Sequence, residues 1–502
     1  MSDRIIEMKR LLIANRGEIA VRIIRACRER GISTVAVYSD ADRDAPHVAL
    51  ADLAVCLGPG PATESYLRAA AILDIAKAHG ADAIHPGYGF LSENAGFADA
   101  CAAAGIVFVG PPGAVIRALG DKIGAKRTMA AAGVPVVPGY NGDNQDDLVL
   151  RDEAEKIGTP LLIKASAGGG GRGMRRVDDL ADFLPQLSEA RREALAAFGD
   201  DRVLLERYVL KPRHVEFQLF GDTHGNVVHL FERECSIQRR HQKIIEESPA
   251  PGLTPELRQK MAAAAVLAGK TVGYVGAGTV EFLVEGDAFY FLEVNTRLQV
   301  EHPVTETITG TDLVGWQLTV AAGGALPLSQ SEIVSRGHAI EARVYAEDPA
   351  TGFLPSLGVL RRWQEPNGPG VRVDSGYTQG MEVPPYYDPM LAKVIGSGPD
   401  RSAALARLDQ ALAGFTVLGV QTNIEYLRAL LADEAFVAGQ LHTGFLAERY
   451  TGWKPAQEIP EVVLQALAAA HPLRRVEGVA ASAAGGSATG GWHTTDGWRI
   501  GA

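Results

Sequence analysis

The sequence predicts a mixed α/β and α+β protein of about three domains, because 502 residues are too many for one compact core. Residues 10–110 alternate short apolar strands with amphipathic helices, which is typical of βαβ units in a parallel sheet. From about 119 to 335 helices are followed by antiparallel hairpins, and from about 336 to 447 strands and turns precede two helices. The first α/β turn, ANRGE, lacks G-x-G-x-x-G, which disfavours a dinucleotide site there.

Composition and charge limit the class of protein. The net charge of −11 provides no overall attraction to nucleic acid or anionic membranes, so we expect neither as a partner. The cysteines lie far apart without a C-x-x-C pair, which disfavours disulfides or zinc and fits a reducing compartment: Cys27, Cys56, Cys101 and Cys235. We find no signal-peptide pattern and no apolar run of about 18 residues, so we expect a soluble, cytoplasmic protein.

The string KASAGGGGRGM, residues 164–174, places four consecutive glycines between a lysine and an arginine. It satisfies G-x-G-x-x-G, but a Rossmann turn leads from a strand into a helix, whereas Gly173 leads into MRRV, which is typical of a strand. A Walker A loop is excluded because no Lys-Ser or Lys-Thr follows the last glycine. Two interpretations remain. One is a glycine hairpin that closes over phosphate, with Lys164 as charge partner, and the other is a plain mobile loop beside a solvated lysine.

Residues 279–304 contain the strongest constellation of polar groups. A turn at Gly286 and Asp287 places Glu281 and Glu293 opposite each other on neighbouring strands. Because side chains alternate along a strand, further polar residues share a face with Glu293: Asn295, Arg297, Gln299 and Glu301. The pattern predicts a single apolar-backed strand that continues to this last residue.

The chemistry of that face has more than one interpretation. Two carboxylates and an amide oxygen, from Glu281, Glu293 and Asn295, are hard ligands that suit Mg²⁺ or Mn²⁺ bridging nucleotide phosphates, and the alternative is a solvated polar face. Glu301 follows Arg297 by four residues, so it is either half of a structural ion pair or a base held ionised. The basic run QRRHQK, after the second hairpin, is either a solvated patch or the lining of an anion site.

Several strings occur together in one order: IANRGEIAVRIIRA, IHPGYGFLSENA, KASAGGGGRGM, ERECSIQRRHQK, EVNTRLQVEHPVTE, EARVYAEDP and YYDPMLAKVI. In this order they resemble the biotin carboxylase component of biotin-dependent carboxylases, over roughly residues 5–450. The resemblance implies an ATP-grasp fold, preceded by a Rossmann-like α/β domain and followed by a biotin carboxylase C-terminal domain. The implied boundaries are 1–118, 119–335 with a glycine-rich lid at about 136–204, 336–447, and a linker with the start of a further region at 448–502.

The same resemblance implies roles for single residues. The residues implied to bind ATP are Lys122, Lys164, Gly170, Gly171, Glu206, Arg207, Tyr208, Val209, His214, His241, Glu281 and Glu293. The implied metal ligands are Glu281, Glu293 and Asn295, and the implied catalytic residues are Lys243, Arg297, Glu301 and Arg343. Bicarbonate and biotin are implied to contact Lys243, Arg297, the backbone of Val300, Arg343 and Tyr88.

The implied reaction is the ATP-dependent carboxylation of biotin, as the first half-reaction of an acyl-CoA carboxylase. Glu301 would deprotonate bicarbonate, which attacks the γ-phosphate to give carboxyphosphate, and Arg343 would stabilise the ureido oxygen of biotin. The implied cofactors are ATP, Mg²⁺ or Mn²⁺, and biotin on a separate carrier protein or domain. The implied partners are that carrier, a carboxyltransferase subunit, and further copies of the chain or an α/β subunit complex. Pro303 favours an acyl-CoA carboxylase over a pyruvate carboxylase, without separating one acyl-CoA from another.

The end of the chain departs from free-standing family members, which stop near residue 450. No lysine follows Lys454 and the biotin-accepting string A-M-K-M is absent, so we expect biotin to be carried elsewhere. We expect either the front of a longer α-subunit, cut in its linker, or a genuine short tail.

Two rival functions stay open. One is a different ATP-grasp ligase, which joins an acyl phosphate to an amine. The other is a nucleotide-binding scaffold without chemistry, which the intact set of implied catalytic residues disfavours.

Overall fold

The computed structural model describes residues 6–167 and 173–455, together with residues 461, 462 and 465. Contacts divide the chain into two units, Met1–Pro455 and Ala456–Ala502. The sheets of the described residues all belong to the first unit, and most of the predicted linker at 448–502 lies outside the described residues. Every helix among the described residues is too short or too polar to span a bilayer.

The N-terminal region is built on a five-stranded parallel sheet of order β3-β2-β1-β4-β5, as the alternating pattern predicts. Its strands are β1 Arg10–Ile13, β2 Ser33–Ser39, β3 Leu53–Gly58, β4 Ala83–His85 and β5 Val107–Phe108. Its helices are α1 Gly17–Glu29, α2 Pro46–Leu50, α3 Ala69–Ala78, α4 Ala95–Ala103 and α5 Gly113–Gly120. Leu11, Leu12 and Ile13 are fully buried because helices cover both faces of a parallel sheet. The carboxyl ends of β1 and β4 therefore share one edge, where α/β folds place ligands.

A smaller antiparallel sheet, of order β6-β9-β7-β8, is called the lid sheet here. The elements of this part of the chain are α6 Lys122–Ala131, β6 Gly139–Tyr140, α7 Asp147–Ile157, β7 Leu161–Ala165, β8 Met174–Val177, α8 Phe183–Phe198 and β9 Val203–Arg207. Strand β7 pairs with β8, and Lys164 lies opposite Met174. The glycine string therefore closes a hairpin, as predicted, and is not a strand-to-helix turn. Gly173 has φ 69°, a left-handed conformation that glycine adopts without a steric cost.

An eight-stranded antiparallel sheet of order β14-β13-β10-β11-β12-β15-β22-β20 joins the central and C-terminal regions. Its strands are β10 Arg213–Gly221, β11 Val227–Arg239, β12 Gln242–Ser248, β13 Gly276–Glu285, β14 Ala288–Asn295, β15 His338–Tyr345, β20 Val371–Ser375 and β22 Met390–Gly398. The helices between them are α9 Pro255–Thr271, α10 His302–Thr309 and α11 Leu313–Ala321. Strand β12 precedes residue 335 and β15 follows it, so their pairing joins the central and C-terminal regions by backbone hydrogen bonds. This pairing brings side chains of the C-terminal region to the cleft.

Shorter elements complete the C-terminal region. They are β16 Glu347–Asp348, β17 Leu354–Pro355, β18 Gly358–Val359, β19 Arg362–Gln364, β21 Glu382–Val383, α12 Arg401–Gly414, β23 Thr416–Leu418, α13 Ile424–Leu431, α14 Glu434–Val437 and α15 Phe445–Arg449. Helix α12 packs on β15 and β22 through Ala404 and Leu408, which are fully buried.

We expect Leu219→Ala to destabilise the protein by about 2–5 kcal/mol, because it leaves a cavity in the core between α9 and the eight-stranded sheet. Leu219 is fully buried there among Phe217 and Met261. The measurement is the urea midpoint of the fluorescence transition. The matched control is Leu148→Ala, whose side chain is 66% exposed and whose midpoint should not move. Equal shifts for the two variants would contradict this description of the core.

Candidate active site

A cleft of about 1390 Å³ opens between the parallel sheet, the lid sheet and the eight-stranded sheet. All the predicted site residues among the described residues line this cleft except Glu301. The carboxylate of Glu301 lies directly behind the wall, against Lys243 and Arg343. Gly170 and Gly171 lie outside the described residues, so their contact with phosphate remains a prediction.

The end of the cleft beside the lid sheet is rich in cations. Lys164 Nζ lies 2.6 Å from Glu206 Oε2, and the buried Lys126 contacts the other oxygen of that carboxylate. Lys122, one helical turn before Lys126 on α6, lies 3.7 Å from Glu293 Oε2. Burial and the neighbouring ammonium groups lower the pKa of Lys126 well below its usual range and the pKa of Lys164 to about 8. Such crowding of like charge favours binding of a polyanion.

Lys126 is a residue that the sequence reasoning missed. Its signal is the spacing of four residues from Lys122, which places both side chains on one face of a helix. It does not line the cleft itself, so it acts on the cleft through Glu206.

Residues 206–209, which the resemblance implies to bind ATP, form the segment where the chain leaves β9 for β10. Two of its backbone N–H groups donate to carbonyl groups near the lid sheet, which fixes its path. His214 follows on β10, with Nε2 3.3 Å from Glu281 Oε2. His241 lies in the turn between β11 and β12 with φ 68°, an uncommon conformation for a residue with a Cβ.

The carboxylate hairpin has the predicted register. Glu281 on β13 pairs with Glu293 on β14, and the side-chain amide of Asn295 donates to Glu281 Oε1 at 2.8 Å. Burial by itself would raise the pKa of Glu281, but Lys243 and His214 hold it well below its usual range. Two carboxylates and an amide oxygen on adjacent strands form a hard donor set that fits Mg²⁺.

The prediction that one strand continues from Glu293 to Glu301 is wrong. Strand β14 ends at Asn295, and Glu301 is the residue that precedes helix α10. Pro303 occupies the first turn of α10, where proline favours the start of a helix. The alternating polar side chains nevertheless meet at one site, because the connection after Asn295 follows the wall of the cleft.

The ammonium of Lys243, on β12, is shared by three buried carboxylates. Its Nζ donates to Glu216 Oε2 at 2.5 Å, to Glu281 Oε1 at 3.0 Å and to Glu301 Oε1 at 2.7 Å. Arg343, on β15, donates from Nη2 to Glu301 Oε2 at 2.9 Å. The basic run that contains Lys243 thus contributes to the lining of the cleft, and Glu301 contacts a cation at each of its oxygens.

Glu301 is held ionised by these neighbours. Burial by itself would raise its pKa, but Lys243, Arg343 and Arg233 hold the pKa of Glu301 well below its usual range. The sequence also suggested an ion pair with Arg297, but among the described contacts Arg297 Nε pairs with Glu93 Oε2, at 3.0 Å. The spacing of four residues falls in the connection after β14 and not on a helix, so it does not predict a contact.

Several polar partners were missed from the sequence. They are Glu93, which holds Arg297, Glu216, which shares Lys243, and Glu246, whose Oε1 accepts from Arg343 Nε at 2.6 Å. The signal for Glu216 was present, since His214, Glu216 and Gln218 alternate along β10 and share one face. The other two lie far along the chain from their partners and carry no local signal.

Tyr88 lies just after β4, at the end of the cleft formed by the parallel sheet. Its hydroxyl donates to Glu18 Oε1, at the start of α1. Val300 completes this end, and its backbone precedes Glu301. The structure therefore brings the residues predicted for bicarbonate and biotin together, beside the carboxylate hairpin.

Three family models match the chain in order. They are "Biotin carboxylase, N-terminal domain" at residues 7–116, "Carbamoyl-phosphate synthase L chain, ATP binding domain" at residues 121–329, and "Biotin carboxylase C-terminal domain" at residues 341–448.

Curated relatives cover most of the chain. The alpha subunit of mitochondrial methylcrotonoyl-CoA carboxylase from Glycine max is 54% identical over 88% of this chain and 60% of the relative. A pyruvate carboxylase subunit of Methanothermobacter thermautotrophicus is 48% identical over 94% of this chain and 97% of the relative. The chain thus spans less than two thirds of the first relative and nearly all of the second.

Solved structures of biotin carboxylases are also similar to this chain. The biotin carboxylase domain dimer of Hydrogenobacter thermophilus 2-oxoglutarate carboxylase was solved with MgADP, ADP and bicarbonate. It has a TM-score of 0.87 and 46% identity, covering 90% of this chain and all of that one. Biotin carboxylase of Campylobacter jejuni, in a β-γ-ATP complex, has a TM-score of 0.86 and 44% identity, covering 88% of this chain and 99% of that one.

The fold and these matches define an ATP-dependent ligase built on an ATP-grasp domain. The chain belongs to the biotin carboxylase family. The predicted fold class and the resemblance seen in the sequence are confirmed.

The prediction of a cytoplasmic protein is wrong by the same comparison. The methylcrotonoyl-CoA carboxylase subunits of Glycine max, Mus musculus and Arabidopsis thaliana, each 54% identical to this chain, are mitochondrial proteins. The prediction depended on scattered cysteines and on the lack of an apolar segment. Neither observation distinguishes one soluble, reducing compartment from another.

We expect Lys243→Met to destabilise the protein by about 3–5 kcal/mol, because it leaves buried carboxylates without their shared cation. With Lys243 gone, Glu301 loses one of the cations that lower its pKa, so that pKa rises toward its unfolded value of about 4.3, while Arg343 and Arg233 still oppose the effect of burial. The folded variant then keeps a proton at a pH where the folded wild-type protein has released it, so its stability deficit grows as the pH rises through the raised pKa. In the wild-type protein the pKa of Glu301 is lowered, so this group adds stability above the unfolded value.

The measurement is the thermal midpoint at about pH 4 and about pH 7, with a larger deficit at the higher pH. The control is Lys260→Met, an exposed lysine on α9, which should show no deficit at either pH. A Lys243→Met deficit that shrinks as the pH rises would contradict the shared-cation arrangement.

Proposed function

We propose that this chain carboxylates biotin, using ATP and bicarbonate, through a carboxyphosphate intermediate. The observation that carries the proposal is the group Lys243, Glu301 and Arg343. Lys243 and Arg343 line the cleft beside the carboxylate hairpin, and Glu301 contacts both of them from directly behind the wall. It combines a cation for an anionic substrate, an ionised proton acceptor, and a guanidinium for a second anion. The relatives solved with MgADP, bicarbonate and a nucleotide analogue support the same substrates here.

The nucleotide is held by the lid end of the cleft. Lys122 and Lys164 contact its phosphates, Gly170 and Gly171 close over them, and residues 206–209 hold the adenine, with Arg207, Tyr208 and Val209 along it and His214 and His241 nearby. Glu281, Glu293 and the side-chain oxygen of Asn295 would hold Mg²⁺ or Mn²⁺, which would supply positive charge to the phosphates. The closed lid excludes water, which would otherwise hydrolyse the intermediate.

Bicarbonate binds between Lys243, Arg297 and the backbone N–H of Val300. Glu301 takes the proton of bicarbonate, and a bicarbonate oxygen then attacks the γ-phosphate, which gives carboxyphosphate and ADP. Because Glu301 is held so strongly ionised, it is a weak base. Proton transfer to it therefore depends on Lys243 and Arg297, whose positive charges make bound bicarbonate more acidic. The same cations offset the charge that develops during phosphoryl transfer.

Biotin enters at the end of the cleft that contains Tyr88. Carboxyphosphate breaks down to CO₂ and phosphate, the phosphate removes the proton from the ureido nitrogen of biotin, and that nitrogen attacks CO₂. The guanidinium of Arg343 stabilises the negative charge on the ureido oxygen. The products are carboxybiotin, ADP and phosphate, and the proton that Glu301 took from bicarbonate is released to solvent, so atoms and charge balance.

The carboxyl group then passes to an acyl-CoA on a separate subunit. The methylcrotonoyl-CoA carboxylase relatives, at up to 54% identity, support an acyl-CoA acceptor over pyruvate, whose relative is 48% identical. The partners are a biotin carrier protein or domain and a carboxyltransferase subunit. Assembly is a homo-oligomer or an α/β subunit complex, which the dimer of the Hydrogenobacter thermophilus domain supports.

We expect the wild-type protein to release ADP only when bicarbonate is present, and faster when free biotin is added. Glu301→Gln should reduce this rate by about 10²–10⁴-fold, the usual contribution of a general base, while binding of a fluorescent ATP analogue is kept. The control is Glu256→Gln, an exposed carboxylate on α9. ADP release that needs an amine and ignores biotin would instead support the rival ligase, and nucleotide binding without turnover would support a scaffold.

We expect Glu293→Gln to raise the Mg²⁺ concentration needed for half-maximal turnover by at least about tenfold. Glu293 is only part-buried, so the variant should remain folded. The measurement is ADP release against Mg²⁺ concentration at saturating ATP, again with Glu256→Gln as the control. An unchanged Mg²⁺ curve would remove Glu293 from the metal site and leave the rest of the mechanism standing.

A further inference from the structure

The buried ammonium of Lys393 contacts the carbonyl of Val300 and the carboxylate of Glu18, at the end of the cleft where biotin is proposed to enter. Lys393 is on β22 and is fully buried. Its Nζ donates to the carbonyl oxygen of Val300 at 2.8 Å and lies 3.2 Å from Glu18 Oε1. The same Glu18 oxygen accepts from the hydroxyl of Tyr88. Lys393 thus connects the peptide before Glu301 with the aromatic ring at the mouth of the biotin site.

The strand register places Lys393 beside the proposed catalytic groups. Lys393 pairs with Arg343 across β15 and β22, so one pair of strands supplies a cation to Glu301 and a cation to the residue before it. Lys393 does not line the cleft, and therefore cannot touch bicarbonate or biotin directly. Its effect on either must pass through Val300 or Glu18.

The free-energy cost of burying the Lys393 ammonium argues against a role in packing alone. Burying an ammonium costs several kcal/mol even after relaxation, and an apolar side chain of similar size is often neutral or stabilising at such a position. Neighbouring acids stabilise this charge: Glu18 and Asp374 lie 3.2 and 3.7 Å from its Nζ, and together with Glu341 they raise the pKa of Lys393 despite its burial. The charge is therefore retained at this position, where it makes two contacts toward the cleft, with Glu18 and with the carbonyl of Val300.

We propose that Lys393 is a positioning residue for carboxylation, an inference that rests on the function proposed above. Its hydrogen bond fixes the carbonyl group of Val300, the residue whose own N–H is proposed above to bind bicarbonate, and its ion pair fixes Glu18, which holds the Tyr88 hydroxyl. One ammonium therefore sets the distance between the bicarbonate site and the biotin ring. The ATP end of the cleft lies outside its contacts.

The test is Lys393→Met, with initial rates measured against ATP, bicarbonate and free biotin in turn. Misplacing reacting groups by about 1 Å costs about 100-fold, so kcat/KM for bicarbonate and for biotin should fall by about that factor. The KM for ATP should stay unchanged. The matched control is Arg401→Met, which removes a part-buried cation paired with Glu247 Oε2 at 2.7 Å and should change none of the three.

A second variant keeps the inference testable if Lys393→Met does not fold. Glu18→Gln retains an acceptor for the Tyr88 hydroxyl and removes the ion pair, so it should lower kcat/KM for biotin with the KM for ATP unchanged. Where both variants fold, their effects on biotin should be strongly non-additive, because they break the same contact. Additive effects, or a Glu18→Gln enzyme with wild-type biotin kinetics, would overturn the positioning role.

Failure of the inference is distinguishable from failure of the proposed function. A wild-type protein without bicarbonate-dependent ADP release would overturn the function itself. An active wild type, with a Lys393→Met variant that matches it or that loses activity toward ATP, bicarbonate and biotin equally, would overturn only the positioning role.

Discussion

The site depends on one electrostatic constraint, which is that three buried carboxylates meet at a single ammonium. Glu216, Glu281 and Glu301 come from two strands and the start of a helix, and their mutual repulsion would drive them apart or force protonation if Lys243 were absent. The shared cation therefore fixes the start of α10 relative to strands β10, β12 and β13. It also leaves the second oxygen of Glu301 to Arg343, so the proton acceptor is clamped between two cations.

The local parts of this arrangement are predictable from the sequence, and the long-range parts are not. The turn at Gly286 and Asp287 determines the pairing of Glu281 with Glu293 because a hairpin fixes its own register. The alternation of polar residues continues after Asn295, but the chain leaves the sheet there. Alternation predicts which side chains face the same way, and it does not predict which backbone groups are hydrogen-bonded to a neighbouring strand. No local pattern could reveal that Glu246 would meet Arg343, which lies on a strand far along the chain.

Different parts of the chain supply different charges to the cleft. The lid sheet and α6 supply ammonium groups, the eight-stranded sheet supplies carboxylates, and Arg343 supplies a guanidinium from the C-terminal region. The N-terminal region adds Arg16, Glu18 and Glu93 to the lining, and the two carboxylates contact groups contributed by later parts of the chain. This division matches a reaction in which a polyanion, a metal ion and a small anion must lie in sequence, with the organic acceptor last.

Because the eight-stranded sheet is continuous, the C-terminal region covers the edge of β12, which would otherwise be the last strand of the central region. Residues Ile245–Ser248 of β12 are paired on one side by β15, and without that partner their N–H and C=O groups would form an open template for another chain. Ile237, Ile244 and Ile245 share a core with the strands and helices beyond residue 335 and would be exposed with it. A shortened chain that ended at residue 335 would therefore be aggregation-prone, and the two regions form one cooperative unit of folding despite their separate matches to family models.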